Sequence, residues 1–250
     1  DTLQRVIHTE RLAALGELAA GLAHEIHNPL DGMRECLSYL DAEPEKSARA
    51  AKYYPMLRSG LERIGQTMRS LLNFSRLDQN VTLEPCAVKA VFEALALLLE
   101  VQLADRKVSL TWGTDPCCVC LANRHYLSQA SLNLILNAVE AMDATVDPQV
   151  RISCLCDASS VYLHFDDNGL GVPDALRQRV FEPFFSTKPM DKGTGLGLAV
   201  SRELIRACNG ELTLATGCSP LGGARFVIKL KKADGKGMAD AQGESKCADH

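Results

Sequence analysis

Leu22-Ala23-His24-Glu25-Ile26-His27-Asn28-Pro29 is the stretch from which the fold can be read. It sets an imidazole beside a carboxylate inside a long helical pattern, and a proline then interrupts the backbone ladder. Interior proline costs a helix about 3 kcal/mol and removes the hydrogen bond to the carbonyl four residues back, here that of Glu25. Outward from the octet, apolar residues recur at Leu15, Leu18, Leu22, Ile26, Leu30, Met33, Leu37 and Leu40, by threes and fours. That spacing predicts an amphipathic helix of coiled-coil type, about 60 Å long from the N-terminus to Leu40. His24 lies about 200° around the helix from Leu22 and from Ile26, so it faces away from the apolar seam. The same outer face holds His27, Asn28 and Asp31, with small Ala20 and Gly21 one turn earlier leaving room for another domain.

Asp41 to Ser47, with Pro44, reads as a turn. A second heptad pattern follows at Leu57, Leu61, Ile64, Met68 and Leu71, with Pro55 either in its first turns or at a kink. Two long helices joined by a short loop predict an antiparallel hairpin. Its two apolar seams exceed what one partner covers, so two copies pairing into a four-helix bundle are the economical solution. Periodicity alone would fit a purely structural stalk; the outward histidine argues for chemistry.

The bulk numbers narrow the class. With 250 residues and 46% apolar content, the chain has room for one large domain or two ordinary ones with a real core. A net charge of -4 gives no basic footprint for nucleic acid or an anionic membrane surface. No run reaches the roughly 18 to 20 apolar residues that span a bilayer, and no export signal is present, so the stretch reads as cytoplasmic. It opens without Met, directly into helical periodicity, and so reads as a fragment whose upstream input region, with room for membrane spans, lies outside it. Ten cysteines scattered through apolar segments read as reduced thiols. Cys118/Cys120 and Cys154/Cys156 each place two sulfurs on one strand face, but a zinc or redox site lacks its usual C-x-x-C spacing, and buried small hydrophobes are the favoured reading.

The pattern changes character near Val81. Strands are predicted at Val81 to Glu84, Val108 to Trp112, Cys117 to Leu121, Val150 to Cys156, Val161 to Asp167, Glu211 to Thr216 and Ala224 to Leu230. Helices are predicted from Val88 to Leu103, His125 to Met142 and Gly195 to Asn209. This is an α+β layer, a mixed sheet with helices packed on it. The expected organisation is residues 1–79 as the helical domain, 80–231 as the α+β domain and 232–250 as a polar, aperiodic tail.

Four motifs in this second domain share one logic. Asn133 and Asn137, at i and i+4 on a helix, put two carboxamides on one face, where they can bind a hard cation that carries phosphates. Asp167-Asn168-Gly169-Leu170-Gly171 ends a strand with a carboxylate able to accept the exocyclic amine of adenine, which guanine lacks at that position. Phe181-Glu182-Pro183-Phe184-Phe185-Ser186-Thr187-Lys188 sets aromatics and a cation in a loop-like stretch. Gly193-Thr194-Gly195-Leu196-Gly197-Leu198 opens a helix and offers unpaired N–H groups and the positive dipole end to phosphate. It is neither a P-loop nor a dinucleotide fingerprint. Singly each motif is weak: solvated or capping amides, a plain Asp-Gly turn and satellite core are the alternatives for the first three, and one glycine-rich loop is a weak signal.

Together, in this order, they resemble the ATP-binding domain of sensor histidine kinases, shared with the gyrase, Hsp90 and MutL ATPases. Gly222-Gly223-Ala224 resembles the last glycine motif of that domain, and the opening octet resembles the phosphoacceptor box of the same kinases. The resemblance spans about Ala13 to Leu230. It implies a dimerising histidine-phosphotransfer domain, then a Bergerat-type ATP-binding domain, using ATP and Mg²⁺ and acting on a response regulator.

Residue by residue, the resemblance assigns His24 as phosphoacceptor, Glu25 as the acid or base beside it, and Asn28 to orienting a water in a phosphatase reaction. Asn137, with Asn133, would hold Mg²⁺ and phosphate, Asp167 would read adenine, and Gly169 and Gly171 would shape its pocket. Gly193, Thr194, Gly195, Leu196 and Gly197 would receive phosphates, while Phe184 to Lys188 lie in a lid whose Lys188 is a further phosphate contact. In the related ATPases the position of Asn133 is a Glu that activates water, so its amide favours autokinase activity over free hydrolysis. His27 departs from the family's more usual Arg, Lys or Asn. The alternatives are a non-catalytic dimeric scaffold of the same fold and an ATPase of the Hsp90 group.

Overall fold

The computed structural model describes residues 26–40, 52–61, 64, 65, 68, 81–113, 118–143, 145–187 and 195–233. His24, Glu25, the turn at Asp41 to Ser47, Leu71, Lys188, Gly193, Thr194 and the tail from residue 234 lie outside the described residues. The chain divides into two compact units, Asp1–Arg76 with Glu182–Gly197, and Leu77–Phe181 with Leu198–His250.

In the first unit, helix α1 covers residues 26–40 and helix α2 residues 52–61, with residues 64, 65 and 68 also helical. Tyr39 and Tyr53 stack with ring centroids 5.6 Å apart, and Met33 and the carbonyl of Pro29 lie over Gly60. Contacts that climb one helix while descending the other define an antiparallel hairpin. The heptad seam divides in two. Met33 of the seam is buried, as is Cys36 beside it, whereas Leu30, Leu37, Leu61 and Met68 of the same patterns stay exposed. Pro29 sits inside α1 without ending it.

The second unit is built on a five-stranded sheet in the order β2-β4-β5-β7-β6, comprising Ser109–Gly113, Gln149–Cys156, Ser160–Asp167, Arg225–Lys231 and Glu211–Leu214. The β2–β4 pair is parallel and the others antiparallel, which makes the sheet mixed as its pattern predicts. Strands β1 (Glu84–Ala87) and β3 (Val119–Ala122) form a small antiparallel ribbon, joined to the end of β7 by a bridge from Cys120 to Lys232. The first strand thus lies later than its expected Val81 to Glu84, because pairing runs only where the short β3 offers partners, from Glu84–Ala122 to Ala87–Val119.

Helices α3 (Val88–Asp105), α4 (Arg124–Glu140) and α5 (Gly197–Ala207) supply the apolar layer. Val88, Val91, Phe92, Leu95, Leu99 and Leu103 of α3 repeat by threes and fours and are buried. Leu127, Ala130, Leu134 and Ala138 of α4 do likewise, and Val200, Leu204 and Ile205 of α5 are buried too. They meet the strand face made by alternate residues Val150, Ile152, Leu163, Phe165, Ile228 and Leu230, all buried. Asn123 caps α4 by accepting a 3.1 Å hydrogen bond from the backbone N–H of Tyr126. Among the described residues no helix is long and apolar enough to cross a membrane.

Candidate functional site

Asp167 ends β5 and is 3% exposed. Burying a carboxylate is costly unless donors surround it, and here the backbone supplies them. Oδ1 accepts from the N–H of Gly169 at 2.9 Å and of Ala224 at 3.1 Å. The main-chain carbonyl of Asp167 accepts from Ser219 Oγ at 2.6 Å and from the N–H of Gly223 at 3.0 Å. One side of the carboxylate is thereby locked, while nothing among the described residues donates to Oδ2. Burial lifts the Asp167 carboxyl above its ordinary value; the N–H groups of Ala224 and Gly169 pull it back, and the neighbouring charge of Asp166 adds to the rise.

Gly223 is required by contact. A Cβ there would run into Asp167 Oδ1, and would stand 2.6 Å from both the Asp167 carbonyl oxygen and the Gly169 nitrogen. Gly171, with φ 68°, lies against the Gly223 backbone, and Gly169 lies against the carbonyl of Ala141 just past α4. The Asp167 loop is thus laid onto the C-terminal end of the helix that carries Asn133 and Asn137. On the opposite face of β5, Asp166 takes Arg225 in a two-point ion pair, at 2.6 and 2.9 Å, which fixes the β5–β7 pairing beside the site.

Asn133 and Asn137 are both half-buried on α4. Asn133 Nδ2 donates to Ser201 Oγ of α5 at 3.2 Å, and its Oδ1 accepts from Gln129 Nε2 at 3.5 Å. Asn133 therefore ties α4 to α5 as well as presenting an amide, a link the sequence did not signal. Ser219 was likewise invisible: it stands far along the chain, and only the Gly222-Gly223-Ala224 motif marked that loop.

In the other unit, Phe184 has φ 63° and Gly195 has φ 63°. A Cβ on Gly195 would strike the Phe184 backbone, at 2.7 Å from its Cα and its carbonyl oxygen, so glycine is needed on both counts. That left-handed backbone also starts α5 at Gly197 rather than at the expected Gly195. Leu196 is buried and Phe184 half-buried. Asn28, on α1, is half-buried, with His27 exposed beside it. A groove of about 730 Å³ lined by Arg177, Arg179, Phe181 and Arg202 lies elsewhere in the second unit, and none of Asn133, Asn137 or Asp167 borders it.

An acid held by backbone amides and a helix bearing paired amides on an α+β layer fit an ATP-binding domain of the Bergerat type. Residues 122–234 match the family described as histidine kinase-, DNA gyrase B- and HSP90-like ATPase, and residues 14–80 match the His kinase A phospho-acceptor domain. The chain belongs to the sensor histidine kinases of two-component systems.

The signal transduction histidine-protein kinase AtoS of Escherichia coli K12 is 31% identical over 92% of this chain and 37% of its own length. The C4-dicarboxylate transport sensor protein DctB of Rhizobium meliloti is 32% identical over the same shares. The chain thus spans little more than a third of these relatives. Among solved structures, the histidine kinase ThkA in complex with the response regulator TrrA superposes with a TM-score of 0.76 at 22% identity, covering 90% of this chain and 64% of that one. Full-length ShkA in complex with AMPPNP gives a TM-score of 0.63 at 25% identity, covering 87% of this chain and 46% of that one.

Proposed function

We propose that this chain is the autokinase part of a sensor histidine kinase: it phosphorylates His24 with ATP and passes the phosphoryl group to an aspartate of a response regulator. The single observation that carries the reading is Asp167, clamped through Oδ1 and its own carbonyl so that Oδ2 remains to accept the adenine amine. The matches of residues 14–80 and 122–234 to the two domains of such kinases support it, as do kinases that are similar over 92% of the chain. The boundaries we assign are residues 1–79 for the dimerising phosphotransfer domain, 80–231 for the ATP-binding domain and 232–250 for a tail.

The imidazole of His24 attacks the γ-phosphorus; a P–N bond forms as the bond to the ADP oxygen breaks. Glu25 takes the proton from the other ring nitrogen as charge builds on the ring. The transition state is loose, so positioning and charge neutralisation supply most of the rate. Asp167 orients adenine, with Gly169 and Gly171 letting the backbone approach. The N–H groups at Gly193 to Gly197 receive phosphates at the start of α5, and Lys188 adds a cation. The carboxamide oxygens of Asn137 and Asn133 suit Mg²⁺, which prefers hard oxygen ligands; these two residues would hold it, and it would supply charge neutralisation to the phosphates. Ser201 and Gln129, hydrogen-bonded to Asn133, orient that amide for the task. An amide is no general base, so Asn133 disfavours water attack. Asn28, four positions after His24 in the sequence, would orient a water against the phosphorylated regulator.

The test is incubation with γ-labelled ATP and Mg²⁺. Acid-labile label on the wild type, lost in His24→Gln, is expected. Label undiminished in that variant would overturn the assignment, and phosphate release independent of His24 would favour a simple ATPase.

A further inference from the structure

Three cysteine sulfurs converge far from the nucleotide residues. Cys118 leads into β3, while Cys154 and Cys156 are alternate residues of β4 and so share a face. Their Sγ atoms all lie within 4.8 Å of one another, and those of Cys118 and Cys156 are 2.7 Å apart. In the β4–β5 register Val150 stands opposite Asp167 and Cys156 opposite Val161. The sulfurs are therefore about 13 to 20 Å along the strand from the adenine-reading end, at about 3.3 Å per residue. Cys120 is not one of the group, because its thiol is turned toward the carbonyl of Cys86 at 3.7 Å.

We propose that Cys118, Cys154 and Cys156 form a binding site for a thiophilic d¹⁰ cation, Zn²⁺ or Cu⁺, held by three thiolates with a further position open to solvent beside Cys156. The cluster is closed below and open above. Cys118 and Cys154 are 2% and 6% exposed, whereas Cys156 is exposed. Thiolates about 2.3 Å from a tetrahedral centre stand about 3.8 Å apart. The observed separations, from 2.7 Å to no more than 4.8 Å, bracket that value, so the three sulfurs stand within reach of one ion. Thiolate selects these soft ions over Mg²⁺, which keeps the cluster separate from the phosphate-binding chemistry.

Burial and the nearby Cys118 thiol push Cys156 up to about 11, and burial raises Cys154 as well. Cysteine ligates as the thiolate, so binding releases protons to solvent. A Cys118–Cys156 disulfide is the competing chemistry. It would use two of the sulfurs, leave Cys154 beside them unbonded and require an external oxidant.

The reduced chain is titrated anaerobically with Co²⁺, then with Zn²⁺ against a chromophoric chelator, and separately with Cu⁺ against a Cu⁺-specific chelator. One equivalent of Co²⁺ should give a thiolate-to-cobalt charge-transfer band that Zn²⁺ or Cu⁺ abolishes, and the two competition arms show which ion is held more tightly. Cys156→Ser, at an exposed position, should lose the band and weaken binding by more than an order of magnitude while still binding ATP. Cys218→Ser, exposed and outside the cluster, should behave as wild type. The proposal is overturned by the absence of the band in the wild type, by unchanged affinity in Cys156→Ser, or by protein isolated metal-free with Cys118 and Cys156 disulfide-linked.

Discussion

Asp167 concentrates the residue-scale logic. Its Oδ1 accepts two backbone N–H groups, so Asp167→Asn can keep that oxygen in place and preserve the loop. The amide then turns an N–H toward the adenine amine, donor against donor. Loss of a hydrogen bond to a charged acceptor costs about 1.5 to 3 kcal/mol, roughly 10- to 100-fold in affinity. Calorimetric titration should show ATP weakened to that degree with thermal unfolding little changed. The pH dependence has a definite sign. The folded-state pKa lies above the ordinary 3.8, so as pH falls the folded protein takes up this proton before the unfolded chain does. That uptake favours folding but removes the acceptor. ATP affinity should therefore fall with decreasing pH from a higher value than an unperturbed carboxylate would give, and Asp167→Asn should lack this acid limb. The Asp167-Asn168-Gly169 motif announced the acid in the sequence. Its clamp was not legible, because Ser219, Gly223 and Ala224 reach it across more than 50 positions of chain. The cysteines show the same limit: alternation paired Cys118 with Cys120, and only the fold carried Cys118 over to Cys154 and Cys156.

At the scale of elements, periodicity located α3, α4, α5 and the long strands, because one apolar face on the core leaves its spacing in the sequence. The ends were less legible, since partners set them: β1 waits for β3, and α5 waits until the left-handed Gly195 is passed. The turn between β6 and β7 is the most exacting element. Gly223→Ala would force a methyl group onto the Asp167 carboxylate, so it should abolish ATP binding and lower the melting temperature, both readable by thermal shift with and without nucleotide. In α1, Pro29 has no backbone N–H to donate, yet the helix runs on to residue 40. We assign it the role of letting the helix bend just below His24, so one face can meet first the ATP-binding domain and then the regulator. Pro29→Ala should stabilise the hairpin by up to about 3 kcal/mol and change both kinase and phosphatase rates. A more stable hairpin with both rates unchanged would remove the hinge role and leave His24 as phosphoacceptor.

The whole molecule must do something with the apolar surface that the hairpin leaves uncovered. Within one chain the seam is only half used: Met33 is buried, as is Cys36 beside it, while Leu37 remains 49% and Leu61 63% exposed, with Leu30 and Met68 repeating them a heptad away. Scattered exposed leucines need no explanation, but stripes at heptad spacing on both helices of a hairpin ask for a second hairpin. Pairing through them would complete a four-helix bundle, the dimer that the proposed phosphotransfer calls for. Leu37→Glu combined with Leu61→Glu places carboxylates in that seam, where burial without partners costs several kcal/mol. Sedimentation should show the dimer replaced by monomer. Adenosine affinity, which reads the base alone, should not move, because Asp167 and its clamp belong to the other unit. A dimer of unchanged stability would show that these stripes are not the seam, and weakened adenosine binding would show that the two units are energetically coupled.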